Sequence, residues 1–190
     1  LCAEDHMPMN PPAAPRKRMH TRAMRVEAYA RDDGLWDLEA VLTDVKDHDV
    51  QLLSGVRQAG NPVHEMHLRV TIDIAFNVIA VEALSAAHPY PGHCGSIEPD
   101  YTKLVGLNLV KGFRAGVKER LGGVQGCTHL TELTSVLPTA AIQAFAGAVF
   151  HPDQLASGER RPFELDACHA LKSDGEAVRI YYPKWHAKRA

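Results

Sequence analysis

The sequence predicts an α+β fold, an antiparallel meander of about four to six strands followed by a helical segment in a single domain. Three observations carry that prediction. Apolar and polar residues alternate at period two through much of the first half, as a half-buried strand requires. Short turns rich in Gly and Asp separate these runs, and such turns join antiparallel neighbours. Beyond residue 96 the apolar spacing becomes three and four, that of helices packed on one face, and strands before helices is the α+β order.

Residues 1–22 show no periodicity and carry Pro8, Pro11, Pro12 and Pro15 among basic residues. We expect an extended arm there, with the domain spanning residues 23–190. Met24, Val26, Ala28 and Ala30 alternate with Arg25, Glu27, Tyr29 and Arg31, which predicts the first strand. Asp32-Asp33-Gly34 supplies a hairpin turn, because glycine tolerates the positive φ needed there, and the chain returns over 36–45. A loop containing Gly55, Gly60 and Pro62 precedes the cleanest strand. There Met66, Leu68, Val70 and Ile72 face one way and Glu65, His67, Arg69, Thr71 and Asp73 the other. A fourth strand over 78–84 follows a turn near Asn77.

Residues 88–95 hold two prolines and two glycines and cannot be regular structure. Ser96 is the expected cap of a short helix with Pro99 in its first turn and Tyr101, Leu104 and Val105 on one face. A second helix carries Phe113, Val117 and Leu121 and stops at Gly122-Gly123. A third starts near Thr128, with Leu130, Leu133, Leu137, Ala141 and Phe145 at helical spacing, and Pro138 should kink or divide it. At the end, Ser173-Asp174-Gly175 predicts a turn and residues 177–182 a final strand.

Composition narrows the function. With 45% hydrophobic and 23% charged residues the chain can bury a core rather than remain disordered. A formal net charge of -2 gives no electrostatic reason to expect nucleic acid. The clusters Arg16-Lys17-Arg18 and 184–189 read as solvated ends. No apolar run approaches the roughly 18 residues needed to cross a bilayer, so no membrane association is expected. Residues 1–6 lack the pattern of a secretory leader. Four cysteines (Cys2, Cys94, Cys127, Cys168) are too few for a disulfide scaffold of this size. Reduced thiols in a cytoplasmic protein are the simpler expectation.

Several phrases together point to a family: Gly34-Leu35-Trp36-Asp37, the strand over 64–73, Pro89-Tyr90-Pro91, and Gly126-Cys127-Thr128-His129-Leu130-Thr131-Glu132-Leu133. Cys168-His169-Ala170-Leu171, Asp174-Gly175 and Tyr182-Pro183 complete the set. On these the chain resembles the bacterial family known as domain of unknown function 2889, from about Pro11 to Trp185. The resemblance implies an association with breakdown of aromatic, phenylpropanoid and lignin-derived compounds. It implies a small-molecule enzyme more than a scaffold, and it assigns no catalytic residue.

The strongest local signal is Cys127 to Glu132. With Thr128 as N-cap, Cys127 and His129 lie at a helix N-terminus, where free N–H groups attract anions and favour a thiolate. His129 and Glu132, three apart, can share a helix face, and a carboxylate beside an imidazole suits a general base. The competing reading is a capped helix with a buried, inert cysteine. His67 shares the polar strand face with Glu65, Arg69, Thr71 and Asp73. That face is expected to meet solvent, but it would line a pocket if the sheet were cupped. His64 falls on the opposite face, so a regular strand cannot turn both histidines to one ion.

The candidate catalytic residues are therefore His129, Glu132, Cys127 and His67, and the candidate substrate contacts Tyr90, Tyr101, Arg69 and His88. If a metal is bound, His93, Cys94, Cys127 and His129 are its candidate ligands, with zinc the ion such donors suit. The spacing matches no recognised zinc motif. Cys168-His169 reads as structural, and Tyr181, Tyr182 and Trp185 as packing. Absence of a phosphate loop, G-x-S-x-G elbow or dinucleotide fingerprint argues against nucleotide cofactors and serine-hydrolase chemistry. The preferred expectation is a lyase acting by acid/base chemistry on a phenolic catabolite without organic cofactor, for example releasing formaldehyde from a hydroxymethyl arm. The alternatives are a metal-dependent hydrolase or lyase and a non-catalytic binding or assembly module. An extended arm and an apolar meander favour a homodimer.

Overall fold

The computed structural model describes residues 10–150, 161–162 and 164–187. Strands β1 (His20–Ala30), β2 (Trp36–Lys46), β5 (Pro62–Ile72) and β6 (Val78–Ala87) form one antiparallel sheet in the order β1-β2-β5-β6. The predicted Asp32-Asp33-Gly34 turn joins β1 to β2, with Gly34 at φ 83°. The loop between β2 and β5 holds a small hairpin that the sequence pattern did not announce, β3 (Val50–Leu52) with β4 (Gly55–Arg57). Three residues are too few to show an alternation. Residues 10–19 are exposed, but β1 begins at His20, inside the expected arm. Residues 1–9 of that arm lie outside the described residues.

One face of this sheet is the floor of the core. Leu38, Ala40, Leu42, Met66, Leu68, Val70, Ile72 and Val78 are all at most 1% exposed and pack against the helices. These are a 3-10 helix (Cys94–Leu104), α1 (Phe113–Leu121), α2 (Thr128–Thr134) and α3 (Leu137–Phe145). Their contributions are Tyr101 and Leu104, then Phe113, Val117 and Leu121, then Leu130 and Leu133, and lastly Leu137, Ala141 and Phe145. Burying a side chain of this size contributes about 1.5–3 kcal/mol, so the cluster is the main force holding helices to sheet. As expected of the polar phase, Glu39, Val41, His67, Arg69, Glu82 and Leu84 face away from it and line only an open groove.

Four local expectations are corrected. Ser96 does not cap its helix. The helix starts at Cys94 and winds as 3-10 around Pro99, and the Ser96 hydroxyl donates to the His93 carbonyl (2.7 Å). Thr128 is the first helical residue of α2 rather than its cap; Cys127 is the N-cap, in extended conformation and without a side-chain cap bond. The long third helix is divided, because Pro138 cannot donate to the preceding turn and so sits at the start of α3. The last element is a helix, α4 (Glu176–Tyr181), and not a strand. Gly175 serves as its extended N-cap, Arg179 N–H reaches the Gly175 carbonyl (3.0 Å), and Glu176 pairs with Arg179 one turn on. Short β-prone segments turn helical where such local bonds form and no strand partner is offered.

Candidate functional site

At one end of the sheet the core-facing phase stops being apolar. On β1 it runs Val26, Met24, Arg22, His20; on β2 Leu38, Ala40, Leu42, Asp44; on β5 Ile72, Val70, Leu68, Met66, His64. The strand register aligns the polar members, Arg22 opposite Asp44 and Asp44 opposite His64. Arg22, Asp44 and His64 therefore form one row across three strands. A register slip follows directly, between Asp44 and Val45, a position at which bulges often re-aim side chains near sites.

Asp44 is the centre of this row and only 3% exposed. Arg22 grips both its oxygens, Nε to Oδ1 at 2.8 Å and Nη2 to Oδ2 at 2.7 Å. His20 Nε2 lies 2.8 Å from Oδ1 and His64 Nδ1 3.1 Å from Oδ2. Burial pushes the Asp44 carboxyl up, but the Arg22 and His20 hydrogen bonds and the charges of Arg22 and His64 outweigh it. The net result holds Asp44 well below the usual carboxylate range. An ionised carboxylate only accepts, so the ring hydrogens are assigned to His20 Nε2 and His64 Nδ1. His64 Nε2 then keeps its lone pair.

Helix α2 lays His129 over this row. Its ring stacks on His64 with centroids 3.7 Å apart and planes 26° from parallel, and its Nε2 is 3.7 Å from Asp44 Oδ2. Both imidazole pKa values are lowered. Burial is the leading cause in each; the neighbouring His129 adds to it for His64, and the Arg22 charge for His129, while Asp44 opposes. The two rings are thus neutral at neutral pH, in the state a general base or a metal ligand needs.

The start of α2 is fastened by Tyr101. Its buried hydroxyl donates to the Cys127 carbonyl (2.9 Å), accepts from the Cys127 N–H (3.1 Å) and pairs with Thr131 Oγ1 (2.8 Å). Gly126 is required for the approach, since a Cβ there would lie 2.4 Å from the Leu121 carbonyl oxygen. The phrase around Cys127 is therefore a clasp that positions His129.

The residues singled out from sequence are dispersed by the fold. His129 and Glu132 reach the cluster, but not as a pair. Glu132 takes Arg22 Nη1 (2.6 Å), and Asp44 is the carboxylate closest to His129 that the ion pairs record. Cys127 is half-buried at the helix start. His67 and Arg69 occupy the outer face, where His67 Nε2 meets Glu65 (3.0 Å) and Arg69 bridges Glu39 (2.9 Å) and Glu82 (2.5 Å). Period two puts them across the sheet from His129, so they cannot share its site. Tyr101 is fully buried and engaged in the clasp. Tyr90 is exposed in its loop, and His88 is half-buried with Nδ1 unpartnered.

The expected ligand set of His93, Cys94, Cys127 and His129 does not assemble. Among the described residues, the triple whose donor atoms lie within 4.8 Å of one another is Asp44, His64 and His129. Two imidazoles and a carboxylate suit a divalent transition metal. In this arrangement, however, Arg22 occupies both Asp44 oxygens, and stacked rings aim their lone pairs side by side rather than at one point. Binding an ion requires Arg22 to retreat towards Glu132 and the rings to splay.

His20, Arg22, Asp44 and His64 were not singled out from sequence. The available signal was phase: each continues the buried face of its own strand, where a polar residue must be partnered.

Fold and site together define a two-layer α+β domain with a His/Asp acid–base cluster under a helix. The chain belongs to the family described as "Protein of unknown function (DUF2889)", whose profile matches residues 20–143. That span contains all six residues of the cluster, whereas the terminal phrases from Cys168 onward fall outside it. No curated protein and no solved structure matches the chain. No helix among the described residues is long and apolar enough to cross a membrane.

Proposed function

We propose that the protein is a lyase that breaks a carbon–carbon bond in a phenolic, lignin-type or phenylpropanoid catabolite by proton transfer alone, with His64 and His129 as its bases. The observation that carries this reading is two neutral imidazoles stacked beside one buried, ionised carboxylate. Formaldehyde release from a hydroxymethyl arm requires two proton transfers. In the first, a base ionises the phenol and the ring expels the substituent on the benzylic carbon, giving a quinone methide. In the second, a base takes the hydroxymethyl O–H proton, the C–C bond breaks, formaldehyde leaves and the electron pair restores the phenolate. Asp44 orients His64 through Nδ1 and stabilises the imidazolium formed, a contribution of general-base catalysis worth typically 10²–10⁴-fold. Arg22 supplies the positive charge near a developing phenolate.

The test is formaldehyde release from a phenolic dimer bearing a hydroxymethyl arm. His64→Gln and His129→Gln should each lower kcat/KM at least about 100-fold, and full turnover in both refutes the assignment. A cytoplasmic homodimer is part of the same proposal. The free thiols of Cys94, Cys127 and Cys168 and the exposed residues 10–19 support it, and sedimentation of the full chain checks the stoichiometry.

A second reading follows from the close approach of Asp44, His64 and His129, namely a metal-dependent hydrolase or lyase with zinc or a similar ion held by these three. Elemental analysis of active protein separates the two: stoichiometric metal whose chelation abolishes turnover favours the second, and full activity of metal-free protein eliminates it.

A further inference from the structure

At the opposite end of β5 from His64 lies a second cavity, of about 870 Å³. The eight residues from His64 to Ile72 place it roughly 26 Å away along the strand, at about 3.3 Å per residue. Its apolar lining includes Phe76, Leu109, Ile142 and Phe150. Phe76 stacks on Phe145 with centroids 4.8 Å apart and stands 5.9 Å from Phe150, so the wall is largely aromatic. The backbone is bent to build it. Phe76 is a non-glycine residue at φ 67°, held by its N–H donating to Asp73 and its carbonyl accepting from Leu109, both at 3.0 Å. A bulky residue in that region is uncommon and costs energy, so it persists only where surrounding contacts impose it.

The polar side of this cavity has one sign. Lys111 and Arg114 line it, no acidic residue does, and among the described residues neither cation has a salt-bridge partner. By contrast Arg22, Arg31, Arg69 and Arg179 are all paired with carboxylates. Helix α1 also begins here, with no acidic residue in its first turn, so its positive end adds to the same field. An aromatic wall facing two unneutralised cations complements a flat apolar body that carries one anionic group.

We propose that this cavity is a second binding site, for an aromatic carboxylate, with the ring against Phe76 and Phe150 and the carboxylate towards Lys111 and Arg114. The site is separate from the acid/base cluster and does not depend on the reading of that cluster.

Calorimetric titration of the full chain with trans-cinnamate, and with uncharged cinnamamide of nearly the same shape, tests the proposal. One cinnamate should bind per chain, and cinnamamide about tenfold more weakly or worse, since a charge-assisted contact is lost. The double variant K111A/R114A, at two exposed positions, should weaken cinnamate by the same factor or more. His64→Gln should leave cinnamate affinity unchanged, and K111A/R114A should leave formaldehyde release unchanged. Binding blind to charge, binding retained in K111A/R114A, binding lost in His64→Gln, or no saturable binding up to about 10 mM would each overturn it.

Discussion

Asp44→Asn is the sharpest perturbation of the cluster. Arg22 forks both Asp44 oxygens at 2.8 and 2.7 Å. An amide offers one oxygen and one NH₂, so either orientation sets an N–H of Asn against an N–H of the guanidinium. At least one charge-assisted bond is lost, worth about 1.5–3 kcal/mol, and a repulsive contact replaces it in a site only 3% exposed. Arg22 is about a third exposed and retains Glu132, which softens the loss. The expected destabilisation is about 2–4 kcal/mol. For a chain of this length that lowers Tm by roughly 4–16 °C.

The pH dependence has a defined sign. Asp44's folded pKa lies below its unfolded value of about 3.9. Its stabilisation is therefore complete above that value and lost as pH falls through the folded pKa. The gap between wild type and Asp44→Asn should be full at neutral pH and close below about pH 4. Urea unfolding followed by circular dichroism from pH 3 to 8 measures it. A gap under about 1 kcal/mol at pH 7, or one that widens towards acid, refutes the account of Asp44 as the ionised centre of the row.

Three further outcomes follow from the same geometry. Both imidazole pKa values are lowered, so the acid limb of kcat/KM for formaldehyde release should fall below about pH 6.5; a limb at or above that value contradicts the neutral pair. Tyr101→Phe removes the hydroxyl that satisfies the Cys127 N–H and should cost about 1–2 kcal/mol in urea unfolding, while unchanged stability would deny the clasp. Gly126→Ala forces a Cβ to 2.4 Å from the Leu121 carbonyl. It should destabilise by about 1–3 kcal/mol and disturb the His64–His129 stack, visible as shifted imidazole resonances; a silent substitution there would show that α2 moves freely.

Much of the fold is written in local pattern. The alternation of Met66, Leu68, Val70 and Ile72 places β5 and its buried face, because a strand's side chains have only two directions. Asp32-Asp33-Gly34 marks the first hairpin, and the spacing of Phe113, Val117 and Leu121 marks α1 and its buried side. The end of the chain was misread because Ala177 to Tyr182 satisfies strand propensity, while Gly175 and the Glu176–Arg179 pair turn it helical. Propensity in a six-residue segment is easily overridden by such contacts.

The candidate site divides in the same way. Sequence alone determined that His129 matters locally, at the start of a helix, and that His64 and His67 lie on opposite faces of their strand. Only the tertiary structure decided which carboxylate His129 meets. Glu132 is its neighbour by helical spacing yet turns to Arg22, while Asp44 arrives from 85 positions earlier (129 less 44). The physical reason is register. Whether Arg22, Asp44 and His64 align depends on how three strands are paired, and pairing is set by the hydrophobic faces as a whole. No single strand records it.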